Sequence, residues 1–258
     1  MERIKQGEFT WTDLAAKDLD AQSHFYESLF GWHHTDVPMD DGTVYRMFAI
    51  DGQTVGGAAQ MRPEMAAQGV PSMWNTYVAV DDVDAVTDKA VQLGGKVVVP
   101  PMDVMERGRM AGIKDPTGGV LYLWKSYRPD AAETYGVPGA LAWSDLETRE
   151  PEKAAAFYKA LFGWDIQSLN EGPMPYWQVN VDGQGEGGIM PMPEMVPPGA
   201  PAFWIDYFGT SDMGASVTKA ESLGATALAP PMEVGGMVSF AVLADPSGAT
   251  FALMQPLG

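Results

Sequence analysis

The feature that most narrows the folds open to this chain is a duplication of nearly its whole length. FTWTDLAAKDLDAQSHFYESLFGW (Phe9–Trp32) matches LAWSDLETREPEKAAAFYKALFGW (Leu141–Trp164) without a gap, at an offset of 132 positions. The match continues through DGQTVGGAAQM from Asp51 against DGQGEGGIMPM from Asp182, and PSMWNTYVAVDD from Pro71 against PAFWIDYFGTSD from Pro201. It closes with LGGKVVVPPMDV against LGATALAPPMEV and KDPTGGVLYLW against ADPSGATFALM, the offset drifting only to 130. Solenoid repeats have periods of roughly 20–50 residues, so this is the copying of a whole domain. Two domains are expected, over residues 1–127 and 140–258, joined by a Pro- and Gly-containing linker over 128–139.

Each copy reads as strand, helix and strands, and then the same again. EFTWTDLA alternates and is rich in β-formers. Asp18 can cap the following helix, Gly31 ends it, and Ala21, Phe25 and Leu29 lie four apart on one apolar face. VYRMFAID and TVGGAAQM follow as strands. In the second half WNTYVAV is a strand, followed by a helix capped by Asp81 or Asp82, with Val83, Val86, Ala90 and Leu93 on one face and Gly94 at its end. KVVVPP, RMAGIKD and VLYLWKS are strands, the last two joined by the tight turn DPTGG. Each domain is thus two βαβββ modules, an α+β class.

Composition removes several functions. Cysteine is absent, which rules out disulfides, thiolate zinc sites and a cysteine nucleophile, and fits a reducing cytoplasm. The start MERIKQGEFTW has no signal-peptide character, and no run approaches the ~18 apolar residues of a membrane span. The net charge is −18, from 34 acidic and 16 basic residues, which argues against nucleic acid as a partner. That charge is read either as solubility or as a bias toward cationic or neutral ligands.

With FYxxLFGW after a strand, a Val-Asp-Asp strand end before a second helix and a final DPTGG hairpin, the chain resembles the vicinal oxygen chelate superfamily. That superfamily includes glyoxalases, extradiol dioxygenases and bleomycin-resistance proteins, and tandem two-domain glyoxalase-like members are the nearest likeness. The resemblance implies that paired βαβββ modules form a cupped mixed sheet around a ligand cavity. It also implies where metal ligands would fall. The first-strand ligand places hold Trp11 and Trp143, the second-helix ligand places hold Asn75 and Ile205, and the final carboxylate places hold Tyr122 and Ala252. The glycine-rich strands, GGAAQM and GGIMPM, offer no carboxylate or imidazole. No metal site and no cofactor are therefore expected.

Strand alternation puts Trp11 with Asp13, and Trp143 with Asp145, on one face. If the family ligand position faces the cup, Asn75, Tyr77, Tyr122 and Tyr207 face it too. The expected ligand-binding residues are therefore Trp11, Asp13, Asn75, Tyr77, Tyr122, Trp143, Asp145 and Tyr207. Aromatic faces stack on rings or hold cations, and a carboxylate accepts from an amine. Three readings stay open. The chain binds a small aromatic or cationic molecule; it is a glyoxalase-like lyase or isomerase using an aspartate or an unmapped metal; or its tryptophans merely fill the space and it is a scaffold. As a duplicated chain it would act as a monomer, an internal pseudo-dimer, or as a homodimer. Glu64 and Glu194, in the loop segments RPEM and MPEM, read as surface, Met102 and Met232 as gap-fillers or pocket wall, and Gly56–Gly57 and Gly187–Gly188 as close backbone approach or a bulge. Arg109 is matched by Ser239, against a symmetric anion clamp. All three histidines lie in HFYESLFGWHH, where His33 and His34 would point to opposite faces of a strand.

Overall fold

The computed structural model describes residues 5–128, 135–169 and 175–257; positions 129–134 of the expected linker lie outside the described residues. The first repeat forms β1 (Phe9–Ala16), α1 (Leu19–Phe30), β2 (His33–Pro38), β3 (Val44–Ile50), β4 (Gln53–Gln60), α2 (Pro63–Ala67), β5 (Met73–Ala79), α3 (Val83–Gln92), β6 (Lys96–Val104), β7 (Gly108–Lys114) and β8 (Val120–Ser126). The second forms β9 (Leu141–Thr148), α4 (Pro151–Phe162), β10 (Asp165–Leu169), β11 (Tyr176–Val181), β12 (Gln184–Pro191), β13 (Phe203–Gly209), α5 (Met213–Ser222), β14 (Thr226–Val234), β15 (Val238–Ala244) and β16 (Thr250–Pro256). The fold is α+β, and each repeat supplies one eight-stranded mixed sheet. The strand orders are β2-β3-β4-β1-β5-β8-β7-β6 and β10-β11-β12-β9-β13-β16-β15-β14.

The caps explain where the helices start and stop. Asp18, Asp82 and Asp212 each accept from the amide three residues on, at 3.0, 3.0 and 2.9 Å. A carboxylate there satisfies an orphan N–H at the positive end of the helix dipole. At α4 the residue in the Asp18 place is Glu150, whose side chain makes no capping bond; Pro151 starts that helix instead. Gly31 and Gly163 end α1 and α4 with φ of 75° and 78°, the left-handed conformation that glycine adopts without a Cβ penalty.

Two expectations need correcting. RPEM was expected to be a loop, but Pro63 opens the short helix α2, which buries none of its residues. Ala21 was expected on the buried face of α1, yet it is exposed. Gln22, Ser23, Phe25, Tyr26 and Leu29 form that face. The reason is polar. Gln22 Nε2 and Tyr26 Oη donate to the buried Asp245 Oδ2 at 2.6 and 3.1 Å. Those bonds rotate the helix so that its inward stripe is not purely apolar.

The packing divides the chain into two compact units, each drawn from both repeats. One comprises Met1–Thr10, Thr76–Ala131 and Ser144–Ile205; the other comprises Trp11–Asn75, Ala132–Trp143 and Asp206–Gly258. Each unit has its own apolar core. The first holds Val78, Ile113, Leu121 and Leu123 against Leu146, Phe157, Leu161 and Trp164. The second holds Leu14, Phe25, Tyr26, Leu29 and Trp32 against Phe208, Leu243, Phe251 and Leu253.

The repeated motif residues tie each core together. In the second unit Trp32 Nε1 donates to Gly139 O at 2.7 Å, and Trp74 Nε1 to Tyr26 Oη at 2.9 Å. In the first, Trp164 Nε1 donates to Gly7 O at 2.8 Å and Tyr158 Oη to Asp115 Oδ2 at 2.8 Å. Asp115 Oδ1 meanwhile closes the DPTG turn by accepting from the Thr117 and Gly118 amides at 2.6 and 2.9 Å. Burial, and the charge of the aspartate beside each, push the Tyr26 and Tyr158 hydroxyls well above their usual pKa. They remain donors at any ordinary pH. Replacing Tyr158 or Tyr26 by Phe leaves a buried carboxylate short of a donor, and should cost about 1–3 kcal/mol each. Urea unfolding of the two variants checks this; a change within 0.5 kcal/mol, roughly the scatter of neutral surface substitutions, would contradict it.

Candidate functional site

On β1 one face is sealed and the other is half-open. Thr12, Leu14 and Ala16 are buried, while Trp11, Asp13 and Ala15 are half-buried. The half-open face carries a hydrogen-bonded chain. Trp11 Nε1 donates to Tyr45 Oη at 2.9 Å, Tyr45 Oη donates to Asp13 Oδ2 at 3.2 Å, and Asn75 Nδ2 donates to Asp13 Oδ1 at 2.8 Å. Trp11, Asp13 and Asn75 are therefore brought together as the alternation implies, with Tyr45 as the link that sequence reasoning missed.

Tyr45 reaches the aspartate only because a glycine lies beneath it. On β4, Gly57 pairs with Asp13, and a Cβ on Gly57 would sit 2.1 Å from Tyr45 Oη. The second repeat builds the same device. Tyr176 Oη donates to Asp145 Oδ1 at 2.8 Å, Gly188 pairs with Asp145, and a Cβ on Gly188 would sit 2.0 Å from Tyr176 Oη. The signal was in the sequence: Tyr45 and Tyr176 stand at the same offset as the two glycine pairs.

The other candidates fall on neighbouring strands. Tyr77 and Tyr122 are register partners on β5 and β8, stacked with centroids 4.9 Å apart and planes 26° from parallel. In the second repeat Ala252 is the register partner of Tyr207, which instead meets Phe240 edge-on at 6.1 Å. Trp143 is half-buried on β9. The remaining candidates are structural or exposed. Arg109 forks onto Asp84 at 2.6 and 2.8 Å; Glu64, Glu194, Met102 and Met232 are exposed. His34 pairs with Glu27, and His24 and His33 are exposed.

A further residue missed by sequence reasoning is Glu147. Alternation along β9 gives it the face of Asp145, where the first repeat has Ala15. The residue is 6% exposed, and among the described residues no donor reaches its carboxyl. Burial pushes that carboxyl up to about 7, and the charge of Asp145 pushes it the same way. Glu186 is also raised to about 7, by burial and by Glu8, but it holds the place of the core residue Val55.

The fold agrees with the relatives of the chain. A model of the Glyoxalase/Bleomycin resistance protein/Dioxygenase superfamily matches residues 8–122, and a Glyoxalase-like domain model matches 144–254. "Putative glyoxylase CFP32" of Mycobacterium tuberculosis is 40% identical, covering 98% of this chain and 96% of its own length. The chain belongs to this superfamily. "Anthracycline biosynthesis protein DnrV" of Streptomyces peucetius is 32% identical over 99% of this chain and 95% of its own. Among solved structures, the Mn(II)-bound glyoxalase from Novosphingobium aromaticivorans has a TM-score of 0.66 at 18% identity, covering 100% of this chain and 84% of that one. At that identity the likeness is one of fold.

Superfamily membership raises the question of a divalent ion, and the side chains in the ligand places do not fit one. An indole N–H only donates, and that of Trp11 is engaged by Tyr45. Asn75 directs its amide at Asp13, Tyr122 stacks on Tyr77, and Ile205 and Ala252 are hydrocarbon. Among the described residues no three His, Cys, Asp or Glu side chains come together as a metal-holding group.

Two outcomes follow from this geometry. Gly188→Ala displaces Tyr176 from Asp145, so it and Tyr176→Phe break the same bond. Their stability costs, about 1–3 kcal/mol each, should be strongly non-additive in a double-mutant cycle. Glu147 sets a pH dependence. Below its ordinary pKa of 4.5 the carboxyl is protonated in both folded and unfolded chains. Between 4.5 and about 7 the unfolded chain ionises first, and stability falls. Above 7 the loss is complete, on the order of 3 kcal/mol. Glu147→Gln should therefore match the parent near pH 4.5 and exceed it at pH 8, as read by urea unfolding at both values.

Proposed function

We propose that this protein binds a small aromatic or cationic organic molecule in the cup of the superfamily fold, without a metal ion. The observation that carries the reading is the Trp11–Tyr45–Asp13–Asn75 chain, which fills two of the family's ligand places with an aromatic surface and an oriented carboxylate. A carboxylate held by two donors stays fixed and ready to accept from a ligand. A relative named for anthracycline biosynthesis supports a role with small organic molecules. A second reading, a lyase or isomerase working by proton transfer, is favoured by one observation. Glu147 has a carboxyl near neutral pKa, where an acid–base group is most effective.

The test is a panel of aromatic and cationic compounds, anthracyclines included, followed by tryptophan fluorescence and calorimetry with and without a chelator. Saturable binding that survives the chelator is expected. Trp11→Ala and Trp143→Ala should each weaken it about tenfold or more, as loss of a stacking surface would. No saturable binding, with both variants identical to the parent, would refute the reading; affinity abolished by the chelator would refute its metal-free part.

A further inference from the structure

We infer that Glu147, with Asp145 and Tyr176, forms a subsite for the ammonium group of an organic amine, present in the second repeat and absent from the first. The inference rests on the proposed binding of a small organic molecule and assigns the chemistry of its polar end.

Three observations carry it. Glu147 is 6% exposed, and no donor among the described residues reaches its carboxyl. Among the described residues the sealed side-chain polar atoms without a partner are Ser23 Oγ and Trp204 Nε1; the Glu147 carboxyl is not one of them, so it keeps contact with solvent and an outside donor can reach it. Next, Asp145 lies two residues away on the same strand face, about 7 Å along β9, and Tyr176 Oη fixes its Oδ1 at 2.8 Å. A group with three N–H donors and a positive charge can serve both carboxyls at once. Last, the first repeat lacks the parts. Ala15 stands in the place of Glu147, and the Asn75 amide already occupies Asp13. With two carboxylates and no third ligand close by among the described residues, the pair suits an organic cation better than a divalent metal.

The same geometry gives the pH behaviour. The charge acting on Glu147 is that of Asp145, and the residues paired with these two on β12 are Met190 and Gly188, neither of them ionisable. A bound cation favours the ionised carboxyl. Amine binding therefore strengthens as pH rises through 7, and below 7 it is accompanied by release of a proton.

The experiment is calorimetry with matched probes, 1-naphthylmethylamine and its neutral isostere 1-naphthalenemethanol, at pH 6 and pH 8. The parent protein should bind the amine at least about tenfold tighter than the alcohol at pH 8, with a smaller preference at pH 6. Glu147→Gln should abolish the preference and leave alcohol binding intact; circular dichroism confirms that it folds. Equal affinities at pH 8, or a preference that survives Glu147→Gln, would overturn the subsite while leaving the binding reading standing. Binding of neither probe also overturns the subsite. The binding reading itself falls only if the whole ligand panel fails.

Discussion

A buried aspartate in a tight turn, held by a tyrosine from the other repeat, is the interaction on which the architecture depends. Asp115 and Asp245 each bind their own turn amides with one oxygen and a tyrosine hydroxyl with the other. A carboxylate is tolerated inside a core only when its hydrogen bonds are complete. The turn alone cannot complete them, and the first helix of the opposite repeat does. This accounts for the pairing of FY in the helix with DPxG near the end of each copy. The tyrosine must be long and polar-tipped, and the phenylalanine before it supplies the apolar face.

The face bearing the candidate site follows a different rule, in which absence of a side chain is the enabling element. A strand residue normally projects over its neighbour, and at Gly57 and Gly188 nothing projects. The tyrosine two strands from β1 or β9 can then lie across the gap and reach the aspartate. The family resemblance implies a ligand place on that glycine-rich strand; here the strand leaves a gap that the tyrosine fills. A side chain at Gly57 or Gly188 would collide with the tyrosine ring. Trp11 and Asn75 belong to the same arrangement, because both side chains direct their donors into it.

Much of this was legible in the sequence. Alternation placed Trp11 with Asp13, capping aspartates marked two helix starts, and the duplication announced two copies of every strand. What was not legible has identifiable causes. Ala21 was assigned to the buried face because periodicity weighs hydrophobicity, whereas Gln22 and Tyr26 are buried for hydrogen bonds to a residue over two hundred positions away. Tyr45 was overlooked because its partner lies diagonally across strands, a relation no i, i+2 rule describes. Glu147 was passed over because a repeat comparison rewards positions that agree, and here the copies differ. The grouping of each half-repeat with half of the other copy is a choice among helix faces that look alike from the sequence.

That grouping has a consequence for how the molecule can change over generations. Each core contains modules from both copies, so the duplicated halves are not spare parts free to diverge. A substitution in the α1 stripe must be matched around Asp245, and one in α4 around Asp115. The two strand faces carry no such obligation. Drift is therefore channelled onto them, and the exchange of Ala15 for Glu147 and of Asn75 for Ile205 lies where it leaves the shared cores intact.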